Sequence, residues 1–303
     1  MRTWRRFAVL PIAALLLAAC QAEAENIESL DDLAGKTVCA GESTTYVFWI
    51  QGTLTLPEGS GEIAEVPEGM QVTTLPTDID CAEAWRSGRT DEFQGWLTAL
   101  PTAQGAIDEG YPVKLVGDPV FYEPLAVAFD KSVENNDSLV EAVDAIISQM
   151  HADGTLSELS ETWYDGTDLT RQEGVEPPEP EEGPTCDSGD VDGHLADICE
   201  AGTIVVSTDP AYPPQSFLNE ETGEYEGFDI DVAKEIAERL GVDIEFTDPT
   251  FDAVVAGNWG GRWDMSVGSV TVTAERQEVL DFTRPYYFTP AQMAAYDPEA
   301  AAD

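Results

Sequence analysis

The polar and apolar positions divide the chain into three stretches of different rhythm. Over residues 29–122, short apolar runs alternate with longer mixed segments. "GKTVCA", "MQVTTL" and "PVKLVG" read as strands, with "CAEAWRSG" and "WLTALPTAQGAI" as helices between them. That alternation predicts a mostly parallel sheet covered by helices. "LPEGSGEIAEVPEG" is rich in Gly, Pro and acids and predicts an exposed insertion. "LAVAFD" then predicts a further strand. After it, Leu139, Val140, Val143, Ile146, Ile147 and Met150 recur on one helical face, and Gly154 suits a left-handed helix stop. Ser138 with Glu141, and Thr155 with Glu158, have capping-box spacing, the second opening a short helix that buries Leu156, Leu159 and Trp163.

Residues 172–193 carry eight acids, four prolines and no lysine or arginine, which predicts a stiff, solvated linker that packs no core. A second α/β unit follows: strand "TIVVST", turn "DPAYPP", and a helix whose stripe is Ile230, Ala233, Ile236, Ala237 and Leu240. Asp229 is expected to cap that helix, Asp231 to favour its positive end, and Gly241 to stop it. Strand "VDIEFTD", helix "TFDAVVAGNWGG" and strand "WDMSVGSV" come next, and Met265 and Met293 read as ordinary core or surface positions.

Charge narrows the function. Fourteen basic against fifty-nine acidic residues give a net charge of −45, a surface that repels nucleic acid and anionic lipid. The acidity reads as a solvation adaptation. Residues 1–19 pair Arg2, Arg5 and Arg6 with the apolar run Phe7–Ala19, too short for a membrane span, and predict a secretory signal. Its end, Leu17-Ala18-Ala19-Cys20, resembles a bacterial lipobox, with Cys20 as the lipid-bearing first mature residue; the plainer alternative is an ordinary cleavage site. In an oxidising compartment the other four cysteines allow three pairings. Cys39 ends the first strand and Cys81 opens the next helix, while Cys186 and Cys199 flank the linker's end. The favoured pairs are 39–81 and 186–199, with free buried thiols as the alternative. No cysteine or histidine spacing supports a metal, and no cofactor is expected.

Several segments resemble the extracellular solute-binding proteins of amino-acid ABC importers. "LADICEAGTIVVSTDPAYPPQSF" looks like that family's opening strand and ligand turn, "GEYEGFDIDVAKEIAERLG" like its signature helix, and "SVTVTAERQEVLDFTRPYY" like its carboxylate-binding segment. "SLDDLAGKTVCAGESTT" resembles the start of its second lobe, "SGRTDEF" a later strand of that lobe, and "LVEAVDAIISQMHADGTLSELSETWYDG" its C-terminal helices. The resemblance implies an α/β, two-lobed type II periplasmic-binding fold, circularly permuted because lobe 2 precedes the lobe 1 opening. The expected layout is a signal (1–19), a tether (20–27), lobe 2 (28–122), lobe 1 in two parts (123–171 and 194–296) joined by the linker (172–193), and a tail (297–303). The chain should cross between lobes once, near Tyr122–Leu125.

The same resemblance implies a monomeric, lipid-anchored protein that carries a small amino-acid-like ligand to a membrane permease. Arg276 matches the arginine that grips the ligand's carboxylate, with Ser269 and Thr271 on the strand before it. Thr44, Thr45 and the amide of Tyr46 would meet that carboxylate at a helix start, and Asp209 and Tyr212 would contact the ligand's polar head or side chain. The family's acid for the ammonium falls on Trp96 when counted from Gly88. Either Glu42, Glu92 or Asp209 takes over, or Trp96 faces a methylated or absent ammonium. Neither His151 nor His194 suggests a catalytic base, and no nucleophile motif occurs. The alternatives are a ligand-sensing lipoprotein and, more remotely, a dehydratase using Asp209 or Glu42.

Overall fold

The computed structural model describes residues 26–171, 178–189 and 191–302. The chain runs through β1 (Thr37–Gly41), α1 (Thr45–Ile50), β2 (Gln71–Leu75), α2 (Ile79–Arg86), β3 (Gly95–Ala99) and α3 (Leu100–Asp108) into the long strand β4 (Val113–Asp130). Helices α4 (Asp137–Asp153) and α5 (Thr155–Trp163) follow, then α6 (Gly193–Ala201) and β5 (Thr203–Ser207). A small sheet of β6 (Ala211–Tyr212), β7 (Ser216–Leu218) and β8 (Tyr225–Glu226) precedes α7 (Phe228–Leu240), β9 (Asp243–Thr247) and α8 (Phe251–Val255). The chain ends through β10 (Met265–Thr271), β11 (Leu280–Phe282) and β12 (Tyr287–Tyr296).

The main strands order as β2-β1-β3-β12-β4-β10-β5-β9, with β11 against β4. The outer pairs are parallel, as the strand–helix rhythm predicts; β3–β12, β12–β4 and β4–β10 are antiparallel. Helices cover the sheet and split the apolar core in two. One half gathers Leu33, Val38, Trp49, Leu97 and Met293, with Cys39, Trp85 and Trp96 in an adjoining cluster. The other gathers Phe129, Ile146, Phe228, Met265 and Tyr286. The two methionines are thus core residues.

Two strands, not one, run through both halves. β4 pairs Val113–Val116 with β12 in the first half and Leu125–Asp130 with β10 and β11 in the second. β12 starts at Tyr287 opposite Leu125, then pairs Ala291–Ala294 with β3. The expected single crossing and the 194–296 segment are corrected accordingly: Ala291, Met293 and Ala295 fill the first core, so alternation along β12 carries the chain back.

Other local expectations change too. "PVKLVG" and "LAVAFD" are one strand, β4. "WLTA" belongs to β3 and not to the helix after it, which opens at Leu100 with Pro101 in its first turn. "SGRTDEF" is a loop before β3. The cap of α4 is Asn136, and Ser138 Oγ donates to Asp192 O at 2.8 Å; Gly154 does close α4 in the left-handed conformation expected of it, at φ 89°, while Thr155 is bonded to Asp153. Gly227 precedes α7 at φ 128°, where a Cβ would lie 2.3 Å from Gln215 O, so only glycine fits.

The described part of the acidic linker is docked, not free. Gln149 Nε2 donates to Glu181 O, Glu181 N to Ser148 Oγ, and Gly183 lies where a Cβ would come within 2.6 Å of Ala145 Cβ. Proline and acid composition forbade a core but not a groove along α4. The disulfides are 39–81 and 186–199, as favoured. Among the described residues no helix is long and apolar enough to cross a membrane. Residues 1–25, with Cys20, lie outside those described.

Candidate ligand-binding cleft

Between the two halves, facing β4, lies a cavity of about 40 Å³. That holds a few waters, so an organic ligand enters only as the halves part. Eight of the nine residues expected at a ligand site line it: Thr44, Thr45 and Tyr46 from the first half, Asp209, Tyr212, Ser269, Thr271 and Arg276 from the second. Four more join them: Asp78, Glu123, Gly268 and Phe251.

Trp96 is the exception. It is fully buried in β3 among Cys39, Trp85 and Phe93, so it faces the core. The count from Gly88 fails because the loop ahead of β3 continues to Gln94. A tryptophan facing a methylated ammonium is thereby overturned. Of the acids proposed to replace it, Asp209 lines the cavity, whereas Glu42 is exposed and Glu92 pairs with Arg89 at the surface.

Arg276 leaves β10 through a short turn and is 3% exposed. Nη1 donates to Thr271 O at 2.9 Å and Nη2 to Ser43 O at 3.0 Å, so the guanidinium spans both halves. Its buried Nε has no partner. Phe251 lies over it, 5.2 Å from ring centroid to Cζ. Burial pulls its pKa down to about 10, against the opposing pull of Glu123 and Glu275.

The acids show the converse strain. Asp78 Oδ1 accepts from Gly41 N at 3.1 Å, Asp209 Oδ1 from Ala211 N at 2.9 Å, and Glu123 Oε1 from the hydroxyls of Thr45 and Thr271. Burial pushes each of the three carboxyls above the usual range, Asp78 far above it. The Thr45 and Thr271 hydroxyls therefore serve an acid in this state, and Thr44 Oγ1 bonds Gly41 O. Tyr46 and Tyr212 touch hydroxyl to hydroxyl at 3.0 Å, closing one end of the cavity.

Behind Ser269 stands an aspartate assigned from sequence to a helix cap. Asp229 lies inside α7, fully buried, accepting from Ser269 Oγ and Tyr286 OH, each at 2.7 Å. Burial raises its pKa to about 7. Ser269 itself sits at φ 54°, left-handed for a non-glycine residue, with Tyr287 OH 2.6 Å from its Oγ. Asp231, two residues on, instead accepts from Trp163 Nε1 at the surface. His151 bonds Pro285 O and His194 bonds Asp264, both away from the cavity. Among the described residues no three His, Cys, Asp or Glu are placed to hold a metal ion.

Residues 204–301 match the bacterial extracellular solute-binding proteins, family 3. The match covers about a third of the chain. The chain is 34% identical over 98 residues to a probable amino-acid ABC transporter-binding protein of Haemophilus influenzae and 32% identical over 101 residues to the L-cystine-binding protein TcyJ of Escherichia coli K12. The matches cover 32% and 33% of this chain and 38% of each relative's length. The arginine-bound domain 1 of TmArgBP is 31% identical, with 35% of this chain and 90% of that one covered at a TM-score of 0.29. The family 3 segment carries Asp209, Tyr212, Asp229, Ser269, Thr271 and Arg276; Thr45, Asp78 and Glu123 come from outside it.

Proposed function

We propose that this protein captures a small carboxylate-bearing solute, an amino acid or a derivative, and delivers it to an ABC importer in the membrane. One observation carries the reading: Arg276 is buried between the two halves with Nε unpartnered beside a cavity. A guanidinium offers two parallel N–H donors, and a carboxylate is the group that uses both. Closure of the halves over the ligand would bring Tyr46 and Thr45 towards the same group. The family 3 relatives, named as binding proteins, support the binding role over a catalytic one. Titrating the protein with the twenty amino acids by calorimetry tests it; affinity unchanged in Arg276→Ala rejects the clamp.

The order of the pieces supports a permuted two-lobed architecture, since the family segment comes last and the linker docks on α4 on its way to α6. A reordered chain, 194–296 followed by 28–171, should fold and bind as the parent does; an unfolded product counts against it. Cys20 is the proposed lipid site, and Cys20→Ala should release the protein from membranes. A sensing role differs from transport only in the membrane partner, which co-purification with the permease would decide.

A further inference from the structure

The cleft holds three carboxyl groups, Asp78, Glu123 and Asp209, against the single guanidinium of Arg276. Their setting is not that of surface acids. Asp78 is 8% exposed, at the start of α2, and Glu123 is 2% exposed on β4, where both flanking runs are apolar. Burying a carboxylate without a cation is costly, and a native fold that retains several at one cavity keeps them for a charged guest. A zwitterionic amino acid brings one carboxylate for Arg276 and one ammonium. It neutralises a single acid and leaves two facing each other across the closed cleft. A second positive group on the ligand answers that imbalance.

We infer that Asp78, Glu123 and Asp209 together hold the positive groups of a ligand that carries two cations and one carboxylate, a dibasic amino acid of the arginine, lysine or ornithine type. This rests on the reading of Arg276 as the carboxylate clamp. The division of labour follows from position. Glu123 sits on β4, beside β10, and shares Thr271 with Arg276, Thr271 offering its hydroxyl to one and its carbonyl to the other. It therefore lies nearest the carboxylate end and receives the α-ammonium. Asp78 and Asp209 line the cavity from opposite halves and receive the distal cation, so closure is completed only when that cation lies between them. Asp78 is held in place by the Gly41 amide and by the Cys39–Cys81 bridge on either side of that contact.

The test compares arginine, lysine and ornithine with citrulline, arginine's neutral isostere, and agmatine, which lacks the carboxylate. Calorimetry on the full chain should show at least one dibasic amino acid binding a hundredfold or more above citrulline. Asp78→Asn should cut that ratio at least tenfold, and Asp209→Asn, at the other residue assigned to the distal cation, gives a second variant if the first fails to fold. Citrulline binding as tightly as arginine overturns this inference and leaves the clamp standing. Agmatine binding as tightly as arginine overturns the clamp, and with it the amino-acid half of the inference. Binding of none of the five overturns both.

Discussion

Two arginines eight positions apart meet opposite fates. Arg284 lies where the acidic segment runs along α4, and it is surrounded by anions: bidentate to Asp144, with Nη2 also 2.7 Å from Glu181. Those bonds hold its pKa above the ordinary value. Arg276 lies in the cleft, deeper, with carbonyls for partners and an empty Nε, and its pKa falls. On the seam, charge is balanced within the protein. In the cleft it is not, for the cation or for the acids opposite. A chain with this excess of acid could have paired Arg276 many times over. The difference marks which region is complete and which awaits a partner.

The sharpest way to break the comparison is to remove each arginine. Arg276→Ala should weaken the best ligand by about 2–5 kcal/mol, the cost of leaving a buried charge unmatched. Arg284→Ala should leave affinity alone; an equal loss in both would end the distinction. The pH dependence comes next. Asp78, Glu123 and Asp209 face Arg276, Tyr46 and Tyr212, with Asp229 behind, and their raised pKa values mean that protons compete with a cationic ligand. Affinity for the dibasic ligand should therefore rise from pH 5 to pH 8, with protons released on binding. Calorimetry in two buffers of different ionisation enthalpy measures that release directly, and proton uptake would contradict it.

Stability should show the same asymmetry in the free protein. Asp229 titrates near 7 when folded against an ordinary 3.8. A raised acid contributes stability fully below its unfolded pKa and loses it as pH climbs through the folded one. Asp229→Asn should flatten the fall in stability between pH 4 and pH 7, which is on the order of a few kcal/mol and is read by thermal melts. On the seam, Gly183→Ala would push a methyl against Ala145 and should cost about 1–3 kcal/mol with no effect on binding. Arg284→Ala is the smallest change, about 1 kcal/mol or less, because its pairs are partly exposed; thermal melts read both.

The second half was the more legible from sequence. β5 and the stripe of α7 follow from period, since each starts just after a Gly and covers one buried face. β3 was hidden because Trp96, Leu97, Thr98 and Ala99 are all buried, so no alternation separates strand from the helix that follows; Pro101 was the one available marker. The crossing of β12 was hidden because strand length does not tell which neighbours a strand keeps. At the site, Arg276 and its companions were readable as a local motif. Asp78 and Glu123 were not, being 45 positions apart and joined only by the fold. Glu123 did leave a signal: a lone acid inside the apolar run "FYEPLAVAF" is anomalous unless something answers it. Asp229 left none, because a helix start explains an aspartate cheaply.

β4 and β12 set the mechanics of capture. They run side by side through the join, their ladder continuing from Tyr287–Leu125 to Ala291–Phe121, so the halves hang on a ribbon and not on two separate threads. Sliding one strand along the other would turn every side chain to the wrong face of the sheet. What the ribbon allows is flexing, like a leaf spring, with the cleft as its mouth. The work of flexing is shared by both strands at once, so a substitution that stiffens either should slow opening and closing together and leave the closed geometry as it is.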